Sequence, residues 1–156
     1  MTIAPIFRTV TTTAPPAQAF ALFSGQMGRW WPVGRTVGKS PHVDVVIEPA
    51  AEGRWYERDV DGVETQWGKV LAWEPPSRLL LGWQLNSRFV YDPNLMTEVE
   101  VTFEVAGQGT RVTLEHRNLE RFGADAEAVA AQLGGGWPGM LGAFVDFSNL
   151  HPTSKE

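Results

Sequence analysis

One histidine and a set of aromatic rings are the side chains of this chain that could do chemistry. His116 lies in the run TRVTLEHRN (110–118), where it shares one face of a predicted strand with Val112 and Leu114. An imidazole titrates near neutral pH, so it can serve as an acid or a base, or orient a polar group of a ligand. A lone histidine inside an apolar face is more often a hydrogen-bonded core residue, and both interpretations of His116 stay open.

Aromatic rings supply the rest of the candidate site. The chain has seven Trp and eight Phe but only two Tyr, and such a set forms either a solid core or the wall of an apolar cavity. Alternation places Trp83 on one face with Leu81 and Leu85, so Trp83 should approach Trp137 if that face is concave. The candidate ligand-binding residues are Trp30, Trp67, Trp83, Phe103, His116, Trp137, Met140 and Phe144.

Three charged residues near the tryptophans are weaker candidates. Arg54, Glu57 and Lys69 each lie within two residues of a Trp, and turned inward they would meet a carboxylate or carbonyl group of a ligand. On the solvated face of a sheet they would instead form cross-strand pairs, each worth about 0.2–1 kcal/mol. The sequence favours the cross-strand pairs.

Several classes of site are excluded by residues that the chain lacks. It has no cysteine, which rules out a disulfide framework, a cysteine-ligated zinc site and a thiol nucleophile. No second histidine or carboxylate stands at metal-ligand spacing beside His116. The Gly134-Gly135-Gly136 triplet has neither the preceding strand nor the following Lys-Ser/Thr of a phosphate loop. We therefore predict no metal, no cofactor and no assignable catalytic residue.

The balance of charge argues against nucleic acid and membrane partners. The chain has 18 acidic and 13 basic residues, a net charge of −5, and no cluster of Lys and Arg. Phosphate backbones and anionic lipid surfaces both select basic footprints. The N-terminal run MTIAPIFRTV has no signal-peptide pattern, and no apolar run approaches a membrane span. We expect a cytoplasmic protein whose partner is a small apolar or aromatic molecule.

The elements that must position these side chains belong to one predicted domain, 1–156. Alternating and β-branched runs predict strands, and Asp61-Gly62 between two such runs predicts a hairpin. Thr13 as N-cap and proline in the first turn predict a short helix over 15–23, followed by the turn-rich segment 28–34. The strands are predicted at 6–13, 42–48, 53–59, 64–74, 78–85, 97–105 and 110–118.

The last third of the chain changes period. From Asp125 to about Leu150, apolar residues recur at steps of three and four, which predicts an amphipathic helix. Glycines and Pro138 are poor helix residues, so we expect the helix to bend or loosen near 134–138. Consecutive hairpins and one long helix indicate an α+β fold, in which a curved antiparallel sheet of six to seven strands wraps around the C-terminal helix.

Six short motifs stand in a distinctive order along nearly the whole chain. They are Phe20 followed by Trp30-Trp31-Pro32; Gly53 to Arg58 with Asp61-Gly62; Trp67 to Val70 running into Glu74-Pro75-Pro76; Leu79 to Trp83; Gly109 to Leu114; and Gly136-Trp137. In these motifs the chain resembles the SRPBCC superfamily, also called START-like or Bet v 1-like. Within it, the chain is similar to the branch of homologues of the activator of the heat-shock-protein-90 ATPase. The resemblance implies a helix-grip fold with a cavity between the sheet and the long helix.

The resemblance favours the cavity interpretation of the aromatic rings. Our first hypothesis is that a small hydrophobic or aromatic ligand binds between sheet and helix, in a pocket of roughly 300–1,000 Å³. Two alternatives stay open: a cyclase- or hydrolase-like enzyme that uses His116 with a nearby carboxylate, and a chaperone-associated stress-response module. The enzyme hypothesis fails if His116 points into a solid core. A homodimer through a sheet edge or the Trp30-Trp31 loop is a further alternative.

Overall fold

Seven strands and three α-helices are present in the structure, a computed structural model that describes residues 3–32, 35–38 and 40–150. The helices are α1 (Pro16–Gly25), α2 (Met27–Trp30) and α3 (Ala126–Leu150), and a 3-10 helix (Leu119–Asp125) that the sequence did not predict precedes α3. The strands are β1 (Ile6–Thr12), β2 (His42–Ile47), β3 (Arg54–Asp59), β4 (Glu64–Glu74), β5 (Arg78–Trp83), β6 (Thr97–Ala106) and β7 (Gly109–Arg117).

All seven strands form one antiparallel sheet in the order β1-β7-β6-β5-β4-β3-β2. The sheet curls into a half-barrel against the long helix α3, which confirms the predicted α+β helix-grip fold. Strands β1 and β2 are its two edges. The register pairs Ile6 with His116 at the β1 edge and His42 with Asp59 at the β2 edge.

The β3–β4 hairpin shows why the strands could be located from the sequence. Gly62 has a φ of 84°, a left-handed conformation that glycine adopts without steric cost. The Asp59 carboxylate accepts hydrogen bonds from the backbone N–H groups of Asp61 (2.9 Å) and Val63 (3.0 Å). The predicted Asp-Gly turn is confirmed, and every strand begins and ends within about two residues of its prediction.

Two predictions around α1 are wrong. Helix α1 begins at Pro16 with Pro15 as its N-cap and has no side-chain cap. The Thr13 hydroxyl, predicted to cap it, instead donates to Asn149 Oδ1 at 3.0 Å, near the C-terminal end of α3. The segment 28–34, predicted as turns, starts inside the short helix α2, because Trp30 is buried there against the core. Residues 33 and 34 of that segment lie outside the described residues.

Helix α3 continues through the glycines and Pro138, so the expected bend does not interrupt it. Pro138 has no N–H, which leaves the carbonyl oxygen of Gly134, four residues earlier, without its helical donor. The Arg8 guanidinium on β1 donates to that oxygen, with Nη2 and O 2.8 Å apart. A strand side chain thus replaces the missing helical hydrogen bond and ties the edge strand β1 to α3.

The core lies between the concave face of the sheet and α3. Leu79, Val101 and Leu114 of the sheet are fully buried, as are Leu141 and Phe144 of the helix. Burial of such side chains is worth about 1.5–3 kcal/mol each, which is the main force holding α3 to the sheet. The helices within the described ranges do not include one both long and apolar enough to cross a membrane.

Candidate functional site

The interior under α1 is a solid cluster of phenyl and indole rings. The ring of Phe103 lies 5.1 Å from that of Phe20 and 5.8 Å from that of Phe23, measured between centroids. Phe144 of α3 lies 5.2 Å from Phe23 and 5.3 Å from Trp30. Edge-to-face contacts at these distances are typical of close-packed aromatic pairs. This end of the interior is therefore filled by its own side chains.

A second group, of five indoles, continues toward the opposite end. Trp31 lies 5.0 Å from Trp67, and Trp55 lies 5.5 Å from Trp67 and 5.7 Å from Trp83. Trp83 and Trp137 are 5.8 Å apart, the approach predicted from strand alternation. The strands and α3 therefore bring together indoles that are far apart in sequence.

A cavity of about 200 Å³ lies beside this indole group. It has three walls of four residues each. One wall comes from α3, a second from β4, β5 and the loop after β5, and the third from the segment that follows α2. In that order, the walls are Gln132, Leu133, Gly136 and Met140; Trp67, Trp83, Leu85 and Phe89; and Trp31, Arg35, Thr36 and Val37.

Three of the eight candidate ligand-binding residues line the cavity, namely Trp67, Trp83 and Met140. The other five lie elsewhere: Trp30, Phe103 and Phe144 in the phenyl-rich cluster, Trp137 within the indole group, and His116 against Trp83 and Trp137 of that group. The cavity is also smaller than the range predicted from the sequence, since much of the interior is occupied by the protein's own rings.

His116 is fully buried and fully hydrogen-bonded. Trp137 Nε1 donates to His116 Nδ1 at 3.2 Å, and an indole N–H can only donate, so Nδ1 carries no proton. The proton is therefore on Nε2, which donates to Thr97 Oγ1 at 2.8 Å. The Thr97 hydroxyl in turn donates to the carbonyl oxygen of Trp83 at 3.4 Å. Burial lowers the pKa of His116 to about 3, because the charged form would lose its hydration without gaining a counter-ion.

An enzyme that uses His116 would need the imidazole to face the cavity, and it does not. Both ring nitrogens are occupied by Trp137 and Thr97, and the imidazole is not part of the cavity wall. The ring packs against Trp83 (5.1 Å between centroids, tilted) and Phe122 (6.4 Å, edge-to-face), both uncharged. His116 is therefore a core residue that fixes the position of Trp137, which is the structural alternative considered from the sequence.

Glu57 is a buried carboxylate that joins two walls of the cavity. Its Oε1 accepts hydrogen bonds from Trp67 Nε1 (2.8 Å) and from the backbone N–H of Val37 (2.6 Å). Its Oε2 accepts from the backbone N–H of Gly38 at 2.9 Å. Three N–H donors compensate for the loss of hydration that burial imposes on the carboxylate. Glu57 thus fastens the segment after α2 to the sheet.

The prediction that Glu57 pairs across strands on the solvated face is wrong. Alternation along β3 places residue 57 on the same face as the fully buried Trp55, and this signal was available in the sequence. Arg54 and Lys69 do form ion pairs, although the Glu52 partner of Lys69 lies in the turn before β3 and not on a strand. Arg54 pairs with Glu48 at 3.4 Å and with Glu64 at 3.3 Å, and Lys69 pairs with Glu52 at 3.4 Å.

The sequence profile of the activator of Hsp90 ATPase homologue 1-like proteins matches residues 13–147. The chain belongs to this family. Among curated proteins no match is found. The family assignment agrees with the half-barrel and long helix, and it confirms the resemblance drawn from the motifs.

Several solved structures are similar to this protein in sequence and fold. The anthrahydroquino-γ-pyrone synthase Txn09 is 34% identical, with 93% of this chain and 97% of that one covered and a TM-score of 0.66. The self-sacrificing resistance protein CalC of Micromonospora echinospora is 31% identical, with 97% of each chain covered and a TM-score of 0.68. The protein MLL2253 of Mesorhizobium loti, 19% identical over 92% of this chain and 95% of that one, shares the fold with a TM-score of 0.67.

Nine of the twelve wall residues of this family member were not selected from the sequence. Trp31 was considered beside Trp30, and the structure turns Trp31 toward the cavity and Trp30 toward the core. Leu85 and Phe89 belong to the loop after β5, where Phe89 has a φ of 58°. The Asn86 side chain holds this loop by accepting N–H bonds from residues 88 and 90. The alternation of side chains along a strand does not predict which residues of such a loop face the cavity. Gln132, Leu133 and Gly136, in contrast, share a helix face with Met140 and could have been predicted from the helical period.

Proposed function

We propose that this protein binds a small apolar or aromatic molecule in the cavity between α3, the sheet and the segment after α2. One observation carries the proposal: three tryptophans, Trp31, Trp67 and Trp83, border a cavity of about 200 Å³, although Trp31 and Trp67 also contact each other. Indole faces stack on aromatic rings and shield them from water. The apolar walls therefore favour a ligand with a flat, apolar part.

The size of the cavity bounds the enclosed part of the ligand. A protein cavity of about 150 Å³ lined by apolar side chains takes up benzene, so 200 Å³ accommodates one or two fused rings. Arg35 and Gln132 on the walls are exposed and mark the mouth. A larger ring system would extend through that mouth into solvent.

The relatives support aromatic molecules as the ligand class. Txn09, similar over nearly the whole chain, is named as the synthase of an anthrahydroquino-γ-pyrone, which is a fused-ring aromatic compound. The resistance protein CalC has the same fold at a similar identity, so one fold serves different functions among these relatives. From Txn09 alone we carry over the binding of a ring system.

Binding without acid–base catalysis fits the described wall residues better than the enzyme alternative. The walls contain neither a carboxylate nor an imidazole among the residues that the structure describes, and both are the usual proton-transfer groups of enzymes. The chaperone-associated alternative and the homodimer stay predictions, since no feature of the described residues singles out a protein partner.

The proposal is tested with a neutral aromatic probe and two matched variants. N-phenyl-1-naphthylamine fluoresces strongly in apolar surroundings and is titrated with the wild type, Gly136→Leu and Gly135→Leu. Gly136 lies on the cavity wall, and a Cβ there would meet Met140 Cε at 3.6 Å, so a leucine would project into the cavity. Gly135 is exposed, with nothing within 4 Å of its Cβ position.

We expect saturable binding to the wild type and to Gly135→Leu, and at least about tenfold weaker binding to Gly136→Leu, since a lost ring contact of about 1.4 kcal/mol changes affinity tenfold. The two variants add the same side chain to adjacent residues of one helix, so a general effect on the helix would appear in both. Absence of saturable binding to the wild type, or equal binding to both variants, would refute the cavity as the binding site.

A further inference from the structure

The polar side chains of the cavity wall gather at its mouth. Arg35 and Gln132 are exposed and Thr36 is half-buried, whereas Trp67 and Trp83 at the inner end are buried. The cavity therefore has an apolar inner end and a mouth with one positive charge. A ligand that matches both ends is amphipathic.

The backbone of Arg35 is held in place on both sides. Its N–H donates to the carbonyl oxygen of Pro32 at 3.2 Å, and its own carbonyl oxygen accepts from Trp31 Nε1 at 2.8 Å. Two residues further on, the Glu57 carboxylate binds the N–H groups of residues 37 and 38. The direction in which the Arg35 side chain leaves the backbone is thus set before any ligand binds.

The Arg35 guanidinium has no carboxylate partner within the described ranges. Arg8 and Arg121 donate to backbone carbonyl oxygens, and Arg29 lies over the ring of Phe147. Arg88, on the loop after β5, likewise has no carboxylate partner within the described ranges, but it is not on the cavity wall. Of the arginines that the structure describes, those in ion pairs are Arg54, Arg58, Arg78, Arg111 and Arg117. In a chain with five more acidic than basic residues, Arg35 is thus the arginine of the cavity wall, and no described carboxylate matches its charge.

The absence of a side chain at Gly136 lets the Arg35 guanidinium approach the cavity. A Cβ on Gly136 would lie 3.8 Å from Arg35 Nη1, so the guanidinium sits over the glycine surface of α3, at the edge of the cavity wall. A guanidinium presents a rigid fork of N–H donors that suits a carboxylate or another oxyanion. The nearby amide of Gln132 adds a further hydrogen-bonding group at the mouth.

We propose that the ligand is an aromatic acid, whose rings enter the apolar end of the cavity and whose anionic oxygens pair with Arg35 at the mouth. This inference rests on the proposed function and adds the charge of the ligand to it. The anion pairs with Arg35 in a partly exposed setting, so the pair contributes selectivity more than affinity.

The experiment compares two probes with the same aromatic skeleton. Anilinonaphthalene-8-sulfonate carries a sulfonate, and N-phenyl-1-naphthylamine does not. Dissociation constants of both are measured for the wild type, Arg35→Gln, Arg35→Lys and the control Arg111→Gln. Arg111 pairs with Glu104 near the β6–β7 hairpin and is not on the cavity wall, so its substitution removes the same charge elsewhere.

The readout is the ratio of the two dissociation constants, which cancels changes in cavity shape common to both probes. Arg35→Gln should reduce the preference for the anionic probe by about fivefold, as expected for a partly exposed ion pair. Arg35→Lys should give an intermediate ratio, and Arg111→Gln the wild-type ratio. Raising the salt concentration should lower the preference in the wild type and leave the ratio of Arg35→Gln unchanged.

Each contrary outcome has a distinct meaning. A ratio in Arg35→Gln equal to that of the wild type would overturn the role of Arg35 while leaving the binding of aromatic rings intact. An equal fall of the ratio in Arg111→Gln would assign the preference to overall charge and would likewise overturn it. If the wild type binds neither probe, the proposed function and this inference fall together.

Discussion

Acid should destabilise this protein through the imidazole of His116. In the unfolded chain a histidine has a pKa of about 6.5, whereas burial lowers the pKa of the folded-state imidazole to about 3. Between these values the unfolded state binds a proton that the folded state does not, so stability falls as the pH falls through this window. The slope is about 1.4 kcal/mol per pH unit, or about 3 kcal/mol lost by pH 4.5.

This loss is large beside the stability of a typical domain, about 5–15 kcal/mol. The contacts of His116 explain why the folded state does not stabilise the protonated imidazole. Its ring faces Trp83, Phe122, Trp137 and the Thr97 hydroxyl, none of which carries a negative charge. Protonation of Nδ1 would also break the hydrogen bond that it accepts from Trp137.

The assay is urea unfolding of the wild type and of His116→Asn at several pH values from 7.5 to 4.5. The asparagine carbonyl can accept the hydrogen bond of Trp137 Nε1, and it does not titrate. Glu48 and Glu100 have lowered pKa values, owing first to a backbone hydrogen bond from Arg54 and to the Arg78 guanidinium, respectively. The contribution of these two carboxylates to stability is also lost in acid, but by the same amount in both proteins.

The difference between the two proteins therefore isolates the imidazole. Below pH 6.5 the wild type should lose stability more steeply than His116→Asn by about 1.4 kcal/mol per pH unit, and above pH 7 the two curves should run parallel. Parallel curves over the whole range would show that His116 is protonated equally in both states. That result would refute the buried, uncompensated imidazole on which the reasoning depends.

Three further predictions concern stability. Arg8→Met should lower the free energy of unfolding of the wild type by about 1.5–3 kcal/mol, the range for a hydrogen bond to a charged group. In Pro138→Ala the loss should be clearly smaller, because the restored N–H of residue 138 donates to the Gly134 carbonyl oxygen; a urea double-mutant cycle without coupling would contradict this. Glu57→Gln should lower the free energy of unfolding by about 1–3 kcal/mol, because the side-chain NH₂ of the glutamine must face one of the three N–H donors that Glu57 now accepts from. Hydrogen exchange of the backbone amides of Val37 and Gly38 should become faster, and unchanged exchange would contradict the role of Glu57 in holding this segment. Gly139→Ala should raise stability by up to about 1 kcal/mol, measured by thermal unfolding, since its Cβ position meets nothing within 4 Å.

Elements with a clear period were predictable, and the reason is physical. The strand and helix periods fix which side chains share a face, so the approach of Trp83 to Trp137 followed from counting residues. The same counting applied to β3 would have buried Glu57 with Trp55, but its charge pointed to solvent. A carboxylate is stable in a core only where hydrogen-bond donors are present. For Glu57 these include backbone N–H groups of residues 37 and 38, which are distant in sequence, so the pattern of residues along β3 does not indicate them.

The cavity itself was harder to predict than the fold. Its boundary depends on which of two adjacent indoles turns inward, and the contacts of Trp31 with Trp67 and Trp137 decide that. It also depends on Phe89, which a side-chain cap by Asn86 and a left-handed backbone bring to the wall. Such choices result from the packing of the whole interior, whereas residue types alone specify only that rings will be buried.

The docking of β1 has a consequence for how this protein is made. On the ribosome, β1 emerges early, yet its partner β7 follows only after the other five strands, as the pairing of Ile6 with His116 shows. Its side-chain contacts come later still, when the Gly134 carbonyl and Asn149 of α3 leave the exit tunnel. Until then the first strand is an unpaired, β-branched segment, so the interval of translation is the time at which this chain most needs protection from aggregation.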